Sequence, residues 1–286
     1  MTSRALAFMA NDRYFEWAKA FLESVRSRDP DLTLYCIPHG GAMEGINSLR
    51  PVYRFEFLTD GIERLDRLAR SLYPFARARH RANLRKYVAL NLPVDEIAYF
   101  DIDLVMLVDP GRIFGHVAAG RADLVYFSTS PEWVYQAEKL DMARELFPDM
   151  RLISAGAFLT SRRALTMDEI IGTIEDNRQL FLSLRRAQVY DQPVLNFVLH
   201  RLGKRARHIT ELDPGLTGMA SVRNPDLRWV DGKIVHGTMG GDVLAVHWAG
   251  PAKSHRERHT PRAMPMQRFL DSLHQQADER IGGLGR

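Results

Sequence analysis

A chain of 286 residues with 45% hydrophobic and 26% charged side chains is long enough to bury one or two cores, and 14 Pro with 20 Gly exclude a fibrous or disordered class. The single cysteine, Cys36, excludes an intramolecular disulfide scaffold and a thiolate metal cluster and points to a reducing, cytoplasmic compartment. The net charge of +4 is unevenly spread: positions 50–86 carry 10 basic against 4 acidic residues, positions 200–286 carry 14 against 9, and the remainder 15 against 22.

In chain order, RALAFMA at 4–10 reads as a buried strand, followed by a turn at Asn11 and Asp12 and an amphipathic helix with Phe15, Ala18, Phe21, Leu22 and Val25 on one face. LTLYCI, closed by Pro38, His39 and two glycines, reads as a second strand and VYRFEF as a third, a β-α-β opening. Arg64, Arg67 and Arg70 read as a solvated helical face, and positions 75–90 as an Arg-rich helix. EIAYF before Asp101, LVMLV after Asp103, and ADLVYF read as buried strands, and RLISAGAFLT as a strand or strand-turn. Positions 167–183 and 190–202 follow as helices, with short strands at KIVH and VLAVHW.

Strands alternating with helices predict an α/β sheet covered on both faces, with no repeat or linker to mark a second domain. Positions 262–280 read as a helix with Met266, Phe269, Leu270 and Leu273 apolar, packed on the domain or docked at a membrane surface. The apolar runs are far shorter than the about 18 residues of a membrane span, and the first residues lack a signal-peptide pattern, so neither insertion nor export is expected.

Chemistry concentrates at Asp101-Ile102-Asp103, two acids between segments that belong inside a sheet. In an extended segment residues i and i+2 project to one side, so both acids are expected to face one ligand beyond the strand ends. Salt bridges to nearby arginines compete with that reading; hard carboxylate oxygens suit magnesium or manganese bridging phosphates. His247 in HWAGPAK follows an apolar run, and an imidazole added to two carboxylates tilts the preference toward manganese; Gly250 lets a phosphate approach the backbone and Lys253 offers it a charge. A plain strand and loop accounts for this segment equally well. Asp191 reads as a helix cap with Pro193 in the first turn, leaving Gln192 free to bond sugar hydroxyls.

Together and in this order, these segments resemble the retaining glycosyltransferases of the GT-A fold, family 8, over positions 4–254. The resemblance implies an α/β fold, a single nucleotide-sugar-binding domain over 1–261 with a mostly parallel central sheet flanked by helices, and a helical tail over 262–286 packed on it. It implies that Asn11 and Tyr14 contact the nucleotide base, that Lys86 binds the donor sugar-phosphate, and that Asp101, Asp103 and His247 hold Mn2+, or Mg2+ in its place. Ser154 and Gly156 in SAGAFLT match a strand near the donor sugar; Asp191 and Gln192 match catalytic positions beside it; Gly250 and Lys253 match contacts to the diphosphate. Ser154 stands where the family usually has Asn, and Ser254 where it usually has Pro.

The expected activity is metal-dependent transfer of a hexose from a nucleotide-diphosphate sugar, a UDP-sugar first, to a hydroxyl of a saccharide or other acceptor with retention of configuration. The partners are then a donor and an acceptor rather than nucleic acid, in the cytoplasm or at the inner membrane face. Rival readings are a sugar-1-phosphate nucleotidyltransferase, which calls for a Gly-rich loop that MANDRYF lacks, and a non-catalytic nucleotide-sugar-binding protein.

Overall fold

The computed structural model describes residues 2–129, 133–222, 224, 226–230, 233–238, 240–248 and 264–283. Its first half runs β1 (Arg4–Ala10), α1 (Phe15–Arg26), β2 (Thr33–Pro38), α2 (Glu44–Tyr53), β3 (Phe55–Phe57), α3 (Ile62–Leu72), α4 (Ala78–Arg81), a 3-10 helix (Ala82–Asn91), β4 (Glu96–Asp101), β5 (Leu104–Met106) and β6 (Leu124–Tyr126). Then come α5 (Leu140–Leu146), β7 (Ala157–Thr160), α6 (Met167–Asp176), α7 (Arg178–Leu184), α8 (Gln192–Arg201), β8 (Ala206–His208), β9 (Leu216–Ser221), β10 (Leu227–Val230), β11 (Lys233–His236), β12 (Asp242–His247) and α9 (Met264–Gly283).

Seven strands form the central sheet in the order β3-β2-β1-β4-β7-β6-β8, mostly parallel, with β7 antiparallel to both neighbours. A second sheet, β10-β11-β12-β5 with β9 on β12, stands beside it. β1 shows why the chain needs helices on both faces: Ala5, Ala7 and Met9 enter one core, and Leu6, Phe8 and Ala10 the other. α1 and α2 cover the second face with Phe21, Leu22, Ile46 and Leu49; α3, the 3-10 helix and α6 to α8 cover the first.

Several elements depart from expectation, each for a physical reason. The helix expected over 75–90 is α4 followed by a tightly wound 3-10 helix, which buries five consecutive residues from Lys86 to Leu90, more than one α-helical stripe allows. Val52 and Tyr53 close α2 instead of opening a strand, because Arg54 takes a left-handed conformation (φ 48°) and leaves only Phe55–Phe57 for β3. The helix expected over 167–183 breaks at Asn177 into α6 and α7; α6 starts on a capping box of Thr166 and Glu169. Residues 154–156 form a turn before β7.

α9 lies along α1. Arg280 grips the buried carboxylate of Glu23 with two bonds of 2.7 and 2.8 Å, and Lys19 reaches Asp278 at 2.7 Å. Leu270 and Leu273 are buried with Val246 and Trp248 from the second sheet. Among the described residues no helix is long and apolar enough to cross a membrane.

His200, near the end of α8, accepts from Tyr135 at 2.8 Å on Nδ1 and donates from Nε2 to the carbonyl of Arg151 at 3.0 Å. Burial pushes its pKa down to about 4. A folded pKa below the unfolded value means stability is complete above about pH 6.5 and is lost as pH falls toward 4. Thermal melts between pH 7 and 4.5 should show a smaller pH-dependent fall for His200→Gln than for the parent; identical slopes would refute the assignment.

Candidate active site

β1, β2 and β4 run parallel, so their carboxyl ends open on one edge of the sheet, where open α/β sheets take their ligands. A cleft of about 500 Å³ occupies this edge, with Met9, His39 and Asp101 from the three strand ends in its wall. Lys86, Asp103, Ser154, Gly156, Asp191, Gln192, Tyr14 and His247 line the same cleft. Sites spread over more than 230 positions of sequence thus meet in one cavity.

Its centre is Lys86, 2% exposed on the 3-10 helix. Its Nζ lies 2.6 Å from Asp191 Oδ2 and 3.2 Å from Asp101 Oδ1, and donates to the carbonyl of Ala155 at 3.1 Å. Burial alone would lower the Lys86 pKa, but Asp101 and Asp191 outweigh it and hold the ammonium charged, with a raised pKa. Asp101 also accepts from the Tyr99 hydroxyl at 2.7 Å. Desolvation raises its pKa; Lys86 works against that rise, and the like charges of Asp103 and Asp191 add to it.

Asp191 precedes α8 without capping it: its side chain bonds no helix N–H and goes to Lys86 instead. Its backbone is fixed by the Tyr87 hydroxyl, which donates to the Asp191 carbonyl at 2.7 Å. Next to it, Gln192 keeps a buried Nε2 without a hydrogen-bond partner among the described residues. Asn196, one turn on, ties Gln192's carbonyl and both backbone groups of Ile153 together at 2.8–2.9 Å, joining α8 to the 154–156 turn. In that turn Ser154 Oγ accepts from the N–H of Gly156 at 3.2 Å, and the carbonyl of Gly156 accepts from the N–H of Asp101 at 2.7 Å. A Cβ on Gly156 would stand 3.2 Å from Asp101 Oδ2, so a glycine is what lets the turn lie against the acid.

Asp101 and Asp103 do not face one side of an extended strand. β4 ends at Asp101, and Ile102 and Asp103 turn the chain into β5 of the second sheet. The backbone explains it: Asp101 bonds the first sheet through Gly156, whereas the Asp103 carbonyl accepts from Trp248 at 2.9 Å. Both acids still line the cleft, because that turn is where the two sheets meet. His247, at the end of β12, places Nε2 3.2 Å from Asp103 Oδ1.

Carboxylate and imidazole donors are the set manganese or magnesium takes, and the Asp103–His247 spacing is near the about 3 Å between adjacent ligands of one octahedral ion. Among the described residues, no three His, Cys, Asp or Glu side chains are grouped closely enough to hold a metal as they stand, and Asp101 Oδ1 is drawn to Lys86. The donor chemistry fits a divalent cation, and Asp101 Oδ2, outside the two bonds to Oδ1, is the atom left to complete it.

At the other end, Tyr14 stands beside His39, ring centroids 6.0 Å apart. Asn11 is not in the cleft wall; its Nδ2 donates to the carbonyl of Gly40 at 2.6 Å and its Oδ1 is buried without a partner among the described residues. His39 pairs Nε2 with Asn83 Oδ1 at 3.0 Å, which leaves Nδ1 a buried acceptor, and burial lowers its pKa. His39, Asn83, Arg13, Arg79 and His80 line the cleft although no motif in the sequence marks them. The one available signal is His39 directly after a strand and before two glycines. Gly250 and Lys253 lie outside the described residues.

No family model matches the sequence, and no curated protein is similar to it. Solved structures do share its fold. The galactosyltransferase LgtC, in complex with donor and acceptor sugar analogues, superposes with a TM-score of 0.59 at 16% identity over 94% of this chain and 95% of that one. An active-site Gln-to-Glu variant of LgtC gives 0.60 over the same spans. Mouse xyloside xylosyltransferase 1, in its apo form, gives 0.59 at 13% identity over 88% of this chain and 99% of that one. At such identities the likeness establishes the architecture: the α/β GT-A fold with its mostly parallel central sheet.

Removing the charge of Lys86 would leave Asp101 and Asp191 facing each other unpaired. Lys86→Met should cost about 3–5 kcal/mol of stability, and adding Asp191→Asn should restore part of it. Denaturant melts of the two variants check this; a Lys86→Met protein as stable as the parent would refute the role given to the lysine.

Proposed function

We propose that this chain is a glycosyltransferase that moves a hexose from a nucleotide-diphosphate sugar, a UDP-sugar first, to an acceptor hydroxyl with retention of configuration, as a relative of family 8. One observation carries the reading: the segments with the family's motifs that fall within the described residues converge on one cleft, at the strand ends of a fold shared with a galactosyltransferase seen with donor and acceptor analogues. The transferase domain is read as 1–261, with 262–286 as its helical tail.

Asp101, Asp103 and His247 would hold a manganese ion, with magnesium as second choice. When bound, it supplies positive charge to the departing diphosphate. The carboxylates support this: Asp101 and Asp191 share the one Lys86 ammonium and Asp103 faces the same cleft, so an added dication would favour the charged form of Asp101, whose pKa burial raises first and the like charges of Asp103 and Asp191 raise further. In the cleft wall, Tyr14 and the buried acceptor His39 Nδ1 suit the base and the N–H or O–H groups of a nucleoside, while Asn11, outside that wall, bonds the Gly40 carbonyl. Lys253 would meet the diphosphate.

For the transfer itself, the anomeric C–O bond to phosphate breaks with its electron pair going to the phosphate oxygen. The acceptor oxygen bonds to the anomeric carbon on the same face, and its proton passes to that phosphate oxygen. This front-face route is favoured over attack by Asp191, because the Asp191 carboxylate is neutralised by Lys86 at 2.6 Å and so is a poor nucleophile. Gln192, with its unpartnered Nε2, orients the sugar, and the Lys86 ammonium fixes Asp191 beside the positive charge that develops on it. LgtC also has a glutamine in its active site, the residue changed in the variant compared above, and this supports the role given to Gln192.

With manganese and a panel of UDP-, GDP- and dTDP-sugars, slow donor hydrolysis should appear for at least one UDP-sugar; silence across the panel would overturn the transferase reading. In the active case Asp103→Ala should lower the metal-dependent rate by about 100-fold or more while the melting temperature stays near that of the parent. A wild-type rate would remove the metal assignment.

A further inference from the structure

One part of the first basic block has no role in donor binding or metal holding: the stretch Arg77-Ala78-Arg79-His80-Arg81 around α4. Elsewhere in that block every arginine but Arg70 has a carboxylate partner among the described residues, such as Arg50 with Glu56, Arg64 with Asp168 at 2.6 Å, and Arg85 with Asp66 at 2.7 Å. Among the described residues, Arg77, Arg79 and Arg81 have none. Arg81 anchors the stretch by donating to the carbonyls of Pro74 and Ala76 at 3.3 and 3.0 Å. Arg79 Nε donates to His80 Nε2 at 3.2 Å, and the His80 ring lies stacked on Tyr190, 5.1 Å between centroids and 29° between planes.

Tyr190 is the residue before Asp191, so this stack puts the cations of α4 beside the end of the cleft where the sugar is transferred. Arg79 and His80 form part of the cleft wall itself. Burial, then the fields of Arg79 and Arg77, lower the His80 pKa, as expected where positive charges crowd without an anion between them. The Arg79 guanidinium in the wall of a polar cleft, its terminal nitrogens outside the bond to His80 and the exposed Arg77 two positions before it, matches the oxygens of a phosphate or carboxylate.

We propose that the acceptor carries an anionic group, a phosphate monoester or a carboxylate, near the hydroxyl that receives the sugar, and that Arg79, supported by Arg77 and held in place by His80, binds it. This inference rests on the transferase reading and names the substrate class of the same site. The surplus of basic residues in positions 50–86 then has a role in recognition rather than only in solvation.

Binding is measured directly, without turnover, by calorimetric or NMR titration of the full chain with glucose, glucuronate and glucose 6-phosphate. At least one anionic sugar should bind about tenfold or more tighter than glucose, and the preference should fade in about 0.5 M salt. Glucose 6-phosphate ahead of glucuronate assigns a phosphate, and the reverse order a carboxylate. The double variant Arg77→Gln/Arg79→Gln should bring all three sugars to similar affinity, whereas Arg64→Gln/Arg67→Gln on α3 should leave the preference in place. Equal binding of the three sugars by the parent, or a preference that survives Arg77→Gln/Arg79→Gln, would overturn the proposal. So would a double variant that loses binding to phosphatidylglycerol vesicles while its sugar preference stays intact, since the arginines would then serve a lipid surface. Because no turnover is needed, indifference in this titration sinks the anionic acceptor alone, while silence in the donor panel sinks the transfer reaction.

Discussion

An ammonium group inside an α/β core can remain charged only if carboxylates surround it, and Lys86 meets that condition with Asp101 on one side and Asp191 on the other. Three stretches of chain are constrained by this one contact. The segment after α4 must wind tightly enough to send Lys86 and Tyr87 inward, β4 must end at Asp101, and α8 must begin where Asp191 faces the lysine. Tyr99, Tyr87 and the carbonyl of Ala155 satisfy most of the remaining hydrogen bonds. The result is a preorganised set of charges whose desolvation cost the fold has already met.

The second constraint is the passage from one sheet to the other at Ile102. The central sheet supplies Asp101, and the smaller sheet supplies Asp103 and His247, so the cleft draws on both. The smaller sheet is in turn braced from behind. Trp248 is buried against Leu270 and Leu273 of α9, while Glu23 and Lys19 of α1 hold the same helix through Arg280 and Asp278. The C-terminal helix therefore packs behind the strand that carries His247 and lends no residue to the cleft wall among the described residues.

Much of this is readable from residues alone. β1 and β4 are uninterrupted apolar runs, α1 has an apolar face, and Asp101 stands out because a carboxylate at the end of such a run must be compensated. The winding of positions 75–90 is not readable, because the period of a helix is masked when it is covered on several sides. Nor is the role of Asp191: Asp before Gln-Pro reads as a helix cap, and only the arrival of Lys86 from 105 positions upstream takes its carboxylate away from that task. His39, Arg79 and His80 each look like an ordinary loop or surface residue until the strand ends are brought together.

Local chemistry thus determined the strands, the class of fold, and which carboxylates were too costly to be left in a core without a partner, since apolar runs and buried charge obey rules that act within a few residues. The tertiary structure decided which partner each charge has: Lys86 between Asp101 and Asp191, Asp103 beside His247, and Arg79 at the cleft wall without a carboxylate among the described residues. Electrostatic pairing acts through space over a few ångströms and ignores distance along the chain, so it becomes legible only when the sheets have placed the strand ends side by side.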